Sequence, residues 1–382
     1  MSDDAMTKAA FFGGAAVVLM WIRSRKQSGG GKKAASASCN VSAFGGEARG
    51  DGKDTAEFKY FTYPSLPKWT AKHKSAMSKR VTPEVWARFK DTKTKNGYTF
   101  HNAIQTGVET PHLGVGITAG DEESWEVFKD VMYPIIKDWH DWDPYTNDHK
   151  SDLDFSKIKF SAAQSALFNK YVASTRIRAA RNVSGFTLPA GASAKDRLGV
   201  EAVLSKAFGG FQGDLKGTYY KLGGLNDKQR TFLRSNGFLF QKPKTTNLLT
   251  NAGAARSWPD GRGIFHNDSR TVLCWVNEED HCRIISMSTD GNVKSVFERF
   301  ANLSNELLKV ATAQGTEFMV SEKLGFLGTC PSNLGTGLRA SVMIKLPFLN
   351  QRLAAFEGPP ERASTLVPAA EPDTTLGLAQ EG

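Results

Sequence analysis

The feature that most limits the fold is a change of periodicity along the chain. Apolar spacing is helical before about residue 150, and strand-like runs begin only beyond about 168. Thr82-Pro83-Glu84 is a helix start, with threonine as N-cap, proline at the first helical position and an acid in the first turn. Val85 and Phe89 then supply its apolar face. A second helix is predicted over Glu122–Trp139, where Trp125, Phe128, Val131, Met132, Ile135 and Ile136 recur at helical spacing and read as core. The later strands are Tyr171–Ala173, Gly263–His266, Thr271–Val276 and Ser341–Leu346. Helical stretches at Leu198–Ala207, Asp227–Asn236 and Lys294–Ala311 fall between them in irregular order. That order predicts an α+β fold rather than a doubly wound parallel sheet.

At 382 residues the chain can bury two cores, and its 40% apolar and 10% aromatic content is that of a globular protein. The net charge of +10 fits an anionic partner. No RNA-recognition signature, zinc module or long Lys/Arg block is present, so a small polyanion is expected and nucleic acid is not. Cys39, Cys274, Cys282 and Cys330 form no CxxC pair, which points to a reducing compartment. The acidic, turn-rich run Asp138–Asp154 reads as an interdomain linker; its acids miss the alternate spacing of a calcium loop.

Ala9–Ile22 is apolar and is followed by Arg23, Arg25 and Lys26. It is shorter than the roughly 20 residues of a spanning helix. We expect residues 9–22 to act as an anchor or targeting segment facing the cytosol, for instance on the mitochondrial outer membrane, with a mitochondrial location as the alternative. Gly, Ser, Ala and Lys dominate from about 27 to 55, a tether composition.

Three segments carry chemistry. Ser174-Thr175-Arg176-Ile177-Arg178 places two guanidinium groups on one face of a strand, since side chains alternate with period two. Taken alone, these arginines also fit an ordinary exposed strand face. Asn277–Arg283 (NEEDHCR) supplies carboxylates and an arginine, and Cys330–Arg339 (CPSNLGTGLR) supplies a thiol and another arginine. Phosphoryl transfer needs charge neutralisation and in-line alignment, and guanidinium forks match phosphate oxygens bidentately. No GxxxxGK[ST] loop and no protein-kinase motif set occurs.

With IQTGVETPHLGVGIT, AGDEESWEVFKD, STRIRAARNVSGF, GDLKGTYY and WPDGRGIFHND, these segments make the region from about 60 to 347 resemble the ATP:guanido phosphotransferases, or phosphagen kinases. The resemblance implies a small all-α guanidine-specificity domain over 60–148. It also implies a larger catalytic domain over 160–350, a glutamine-synthetase-like antiparallel sheet flanked by helices. Residues 1–55 are then leader and tether, and 351–382 a disordered tail. It implies reversible transfer of the ATP γ-phosphoryl to a guanidine, with Mg²⁺ bound largely through the nucleotide. ATP or ADP would be held by Ser174, Thr175, Arg176, Ile177, Arg178, Arg283, Arg339, Ala340, Ser341, Val342 and Met343. Glu279 would grip the guanidine and assist its deprotonation, and Cys330, as a thiolate lowered by nearby cations, would contact it. The specificity loop, Glu109–Thr118, would meet the substrate through Gly114, Val115, Gly116, Ile117 and Thr118.

Its short form favours arginine or taurocyamine over creatine, although Leu113 and Thr118 replace the serine and tyrosine usual in arginine kinases. Gly237 stands where the family places an adenine-contacting histidine. After Asn350 the family's mobile loop, lid arginine and closing helices have no counterpart, so the C-terminal part is expected to be incomplete. The alternative expectation is therefore a catalytically impaired member that binds nucleotide or is tethered to a membrane.

Overall fold

The computed structural model describes residues 8–12, 15–19, 60–243 and 248–346. The first part is helical: α1 (Ala76–Arg80), α2 (Pro83–Phe89), α3 (Phe100–Glu109), α4 (Ser124–Val127) and α5 (Lys129–His140). The Thr82 hydroxyl accepts the Val85 N–H at 3.3 Å with Pro83 behind it, as the sequence predicts. Thr99 and Asn102 form a reciprocal box at the start of α3.

The single helix predicted over 122–139 is instead two, α4 and α5. They part at Phe128, whose non-helical backbone (φ −106°, ψ 20°) drops its ring among those of Phe89 and Phe100. Tertiary packing overrides the continuous helical pattern there. Trp125, Val131, Met132, Ile135 and Ile136 are buried core, as expected.

The second part is a mixed unit built on one antiparallel sheet. Its strands are β1 (Lys8–Phe12), β2 (Ala15–Leu19), β3 (Val172–Arg181), β4 (Gly217–Lys221), β5 (Gly263–Asn267), β6 (Val272–Val276) and β7 (Cys282–Ser288). A small separate hairpin, β8 (Val320–Ser321) and β9 (Gly325–Phe326), precedes β10 (Leu338–Lys345), which returns to the main sheet. The order across the main sheet is β1-β2-β10-β3-β7-β6-β5-β4. Five helices accompany it: α6 (Ala162–Tyr171), α7 (Ala194–Gly210), α8 (Asp227–Ser235), α9 (Leu248–Asn251) and α10 (Val293–Ala313).

The apolar run at the N-terminus falls partly in β1 and β2, whose backbones pair with each other and, through β2, with β10. Its remaining residues, the tether and the tail lie outside the described residues. Among the described residues no helix is long and apolar enough to cross a membrane.

One face of the sheet is closed by α7 and α10. Ile177, Ala179, Phe265, Cys274 and Ile284 meet Val200, Leu204, Phe300 and Leu307 there. On the opposite face, among the described residues, an apolar cover lies at the β4–β6 side, where Ile264, Leu273 and Trp275 pack with Leu233 of α8 and with Phe238 and Phe240. Strands β5 and β6 are therefore buried on both sides, which explains the unbroken apolar sequence of β6. The rest of that second face, over β7, β3 and β10, carries the polar residues.

Candidate active site

Register decides which side chains share that face. Opposed residues of an antiparallel pair project to the same side of the sheet. Arg178 lies opposite Arg339 on β10, and Arg176 opposite Ser341. On β7, Arg283 lies opposite Ala180, which is two residues on from Arg178. Arg176, Arg178, Arg283 and Arg339 thus occupy one face. Ser174 and Met343, themselves opposed, share it.

The alternate positions do not. Ile177 is core on the back of the sheet, opposite Ala340, and Thr175 is buried opposite Val342 with its hydroxyl donating to the Asp290 carbonyl at 2.8 Å. Of the residues expected to meet nucleotide, Thr175, Ile177, Ala340 and Val342 therefore offer only main chain to the arginine face.

The carboxylates sit at the tip of the β6–β7 hairpin. Asn277 takes a left-handed conformation (φ 54°), and its side-chain amide donates to the carbonyls of Arg197 and Gly261 at 2.9 and 2.7 Å. The turn delivers three acids to one guanidinium: Arg283 Nη2 lies 2.5 Å from Glu279, 3.5 Å from Asp280 and 3.7 Å from Glu278. Burial pushes the Glu279 carboxyl up to about 7 against the pull of Arg283, and Asp280 and Glu278 add to the rise. Burial would lower Arg283, but these three carboxylates outweigh it and hold the group above its ordinary value. Three acids on one arginine leave the hairpin tip with surplus negative charge, and a planar cation is its natural complement.

Asp280 also ties this tip to the thiol. Its Oδ1 accepts the Asn182 amide at 3.0 Å and the Thr329 N–H at 2.9 Å. Cys330 follows and is nearly buried, and the Ser332 hydroxyl donates to its Sγ at 3.1 Å. The expected lowered thiolate is not what these surroundings favour. Burial, and then the Glu279 carboxylate, push the Cys330 thiol up to about 12. Arg283, the arginine of the same hairpin, is engaged by Glu278, Glu279 and Asp280.

The segment Glu109–Thr118, expected to set acceptor specificity, is built into the helical core. The carbonyls of Gly114 and Val115 accept the N–H groups of Ala76 and Met77, and Gly116 takes φ 78° where a Cβ would lie 2.6 Å from Ser75. Val115, Ile117 and Thr118 are buried, and the Thr118 hydroxyl bonds to that of Tyr98 at 3.0 Å. Its tie to the site is main chain: the next residue, Ala119, donates its N–H to the Thr329 carbonyl at 2.8 Å.

Gly237 has a local reason of its own. It closes α8 at φ 67°, with its N–H on the Arg234 carbonyl and that of Phe238 on Leu233. His281 is structural, accepting from the Val183 N–H and donating to the Thr187 carbonyl.

Sequence reasoning missed Asn182, Asp280 and Thr329 as the residues joining the two motifs. It also missed the buried arginines Arg181, Arg197 and Arg262. Their guanidinium groups donate to main-chain carbonyls such as Thr336, Ala192 and Ala254. Among the described residues no group of three or more His, Cys, Asp or Glu could hold a metal ion.

A helical domain followed by an antiparallel sheet flanked by helices is the phosphagen kinase architecture. The chain belongs to the ATP:guanido phosphotransferase family: residues 71–137 match its N-terminal domain and 199–357 its C-terminal catalytic domain. It is 44% identical over 285 residues to creatine kinase M-type of Gallus gallus, covering 74% of each chain. It is similar to the crystal structure of a lombricine kinase, with a TM-score of 0.70 and 40% identity over 77% of this chain and 79% of that one. The substrate-free duplicated taurocyamine kinase from Schistosoma mansoni gives a TM-score of 0.67 and 33% identity, over 74% of this chain and 39% of that one.

Proposed function

We propose that this chain reversibly transfers the γ-phosphoryl of ATP to a guanidine nitrogen. The observation that carries this reading is the gathering of Arg176, Arg178, Arg283 and Arg339 on one sheet face, beside a hairpin tip with surplus carboxylate. The arginines spread over the polyphosphate and hold the transferring group, a role that leaves little covalent work for the protein. Mg²⁺ would be held largely by the nucleotide rather than by side chains of this chain, and would supply charge neutralisation on the phosphates.

Glu279 accepts the N–H groups of the incoming guanidine, orients its nitrogen towards the phosphorus and takes the proton that nitrogen loses. A carboxyl held near neutrality suits that exchange in both directions. Cys330, as a thiol rather than a thiolate, packs against the same guanidine and completes its pocket.

Arginine or taurocyamine is favoured over creatine because the Glu109–Thr118 segment is short and leaves room for a larger acceptor. The buried Thr118 hydroxyl, engaged with Tyr98, supplies no hydrogen bond to an amino-acid end, which tilts the choice towards taurocyamine. ATP turnover by the full chain, with arginine, taurocyamine, lombricine, creatine and glycocyamine offered in turn, tests this reading. Turnover with one of the first two supports it. ADP binding by a folded chain without turnover on any guanidine supports a non-catalytic member instead. For residues 9–22 we retain a membrane-facing anchor as the proposal, tested by flotation of the full chain with anionic vesicles.

A further inference from the structure

The linker between the two domains does more than join them. Four polar contacts run from it to the segment that carries Cys330. His140 Nε2 donates to the Pro331 carbonyl at 2.7 Å, and Trp142 Nε1 to the Lys323 carbonyl at 3.2 Å. The His149 N–H donates to the Glu322 carbonyl at 2.7 Å, and Asp148 pairs with Lys323 at 2.6 Å.

The His149 ring is wedged between two glycines. A Cβ on Gly325 would lie 2.6 Å from its Nδ1, and one on Gly335 2.8 Å from its Nε2, so bare backbone flanks both edges. Trp142 meets the ring edge-on, with centroids 5.6 Å apart. Gly335 is in turn bonded to the small hairpin, accepting the Phe326 N–H and donating to the Leu324 carbonyl.

The 331–335 loop is thus held at both ends, by the His140 hydrogen bond at Pro331 and by packing of the His149 ring beside Gly335. Cys330 begins this loop, and Thr329 before it holds Glu279 and Asp280. We propose that His140 and His149 are positioning residues: from the end of α5 and the linker that follows it they fix the 331–335 loop, and so hold Cys330 in register with Glu279. Displacement of the helical domain then reaches the acceptor pocket through these two imidazoles. Burial keeps both rings below their ordinary titration range, so His140 meets the Pro331 carbonyl and His149 packs between the glycines as neutral imidazoles.

The test compares His140→Ala, His140→Gln and His149→Ala in the full chain. Two quantities are read: steady-state kinetics, and the rate of iodoacetamide alkylation at Cys330 followed by mass spectrometry of its peptide. The activity arm rests on the phosphotransfer reading, whereas the alkylation arm does not. A wild type without turnover would therefore sink that reading while leaving this one to be decided by the thiol.

Each alanine variant is expected to lower kcat by about 10–100-fold, the scale of a small misplacement in an active site. KM for ATP is expected to stay within about twofold, because the arginine strands are untouched. Cys330 alkylation is expected to rise by about tenfold as the loop loosens locally. His140→Gln, which keeps an N–H near the Nε2 position, is expected to recover most of the kcat and most of the protection. Wild-type alkylation in both alanine variants would overturn the proposal, as would a folded His140→Gln no better than His140→Ala. If His140→Ala does not fold, His140→Phe keeps the ring volume and removes the Nε2 donor; unchanged Cys330 alkylation there would also overturn it.

Discussion

Thr329 binds Asp280 through its main chain: the Thr329 N–H lies 2.9 Å from Asp280 Oδ1, while its hydroxyl donates to the Glu279 carbonyl at 2.7 Å. One residue next to the thiol therefore fixes two consecutive acids on another strand connection. Its own carbonyl accepts from Ala119, so the helical domain joins the same junction.

Thr329→Val keeps the shape and the N–H but removes the hydroxyl donor. The Glu279 carbonyl is left without that bond, at a cost of about 1–3 kcal/mol. Thermal or denaturant unfolding measures the stability loss, and kcat is expected to fall with it, since Glu279 is no longer anchored.

The pH dependence follows from Glu279. Its carboxyl is raised from an ordinary 4.5 to about 7, so between those values the native state binds more protons than the unfolded chain. This contribution makes stability fall as pH rises from about 4.5 to 7 and level off above. Guanidine phosphorylation should show the opposite limb, rising through about 7 as the base ionises. Asp280→Asn removes a neighbouring negative charge that helps raise Glu279, so the acid limb of the rate profile should move to lower pH.

The arginines on the polar face of the sheet should separate by burial. Arg283 is almost fully enclosed with three acids, and Arg283→Ala leaves them uncompensated, at a cost of about 3–5 kcal/mol in stability. Arg178 is half-buried at the open part of the sheet. Arg178→Ala is expected to leave unfolding nearly unchanged while lowering kcat/KM for ATP by about 10³-fold, the lower range for a guanidinium on a transferring phosphoryl. Parallel unfolding curves and kinetics check the contrast.

Cys330 should behave as a protected thiol. With its group pushed up to about 12, alkylation of the chain without substrates is expected to climb steadily from pH 7 to 10 without a plateau. A plateau below pH 8 would mean an activated thiolate instead.

Much of this architecture was legible from residue order. The switch from helical spacing to strand-like runs separated the two parts, and the runs at Gly263–His266 and Thr271–Val276 proved to be strands buried on both faces. Arg176 and Arg178 were placed on one strand face by alternation alone. Which partner strands would flank them was not readable, because register depends on how β10 returns beside β3.

The helix break at Phe128 was hidden for a related reason: the residue fits the helical stripe, and only Phe89 and Phe100 show where its ring must go. Buried arginines were missed because Arg181, Arg197 and Arg262 bond mainly to carbonyls, and main-chain partners leave no mark in a sequence. The thiolate expectation at Cys330 took no account of burial and of the Glu279 carboxylate, which raise the thiol and leave no mark in residue order. His140 and His149 sat in a stretch whose acidic, turn-rich composition describes a connection but not what it docks against.

The central claim, that Glu279 holds and deprotonates the guanidine, is tested most directly by the turnover of Glu279→Gln with the best acceptor, alongside ADP affinity and the unfolding midpoint. The account predicts kcat reduced by about 10²–10⁴-fold, the usual contribution of a positioned acid–base group, with ADP binding and folding retained. Turnover within about threefold of wild type in a folded, nucleotide-binding variant would contradict it, since a role confined to packing tolerates the amide.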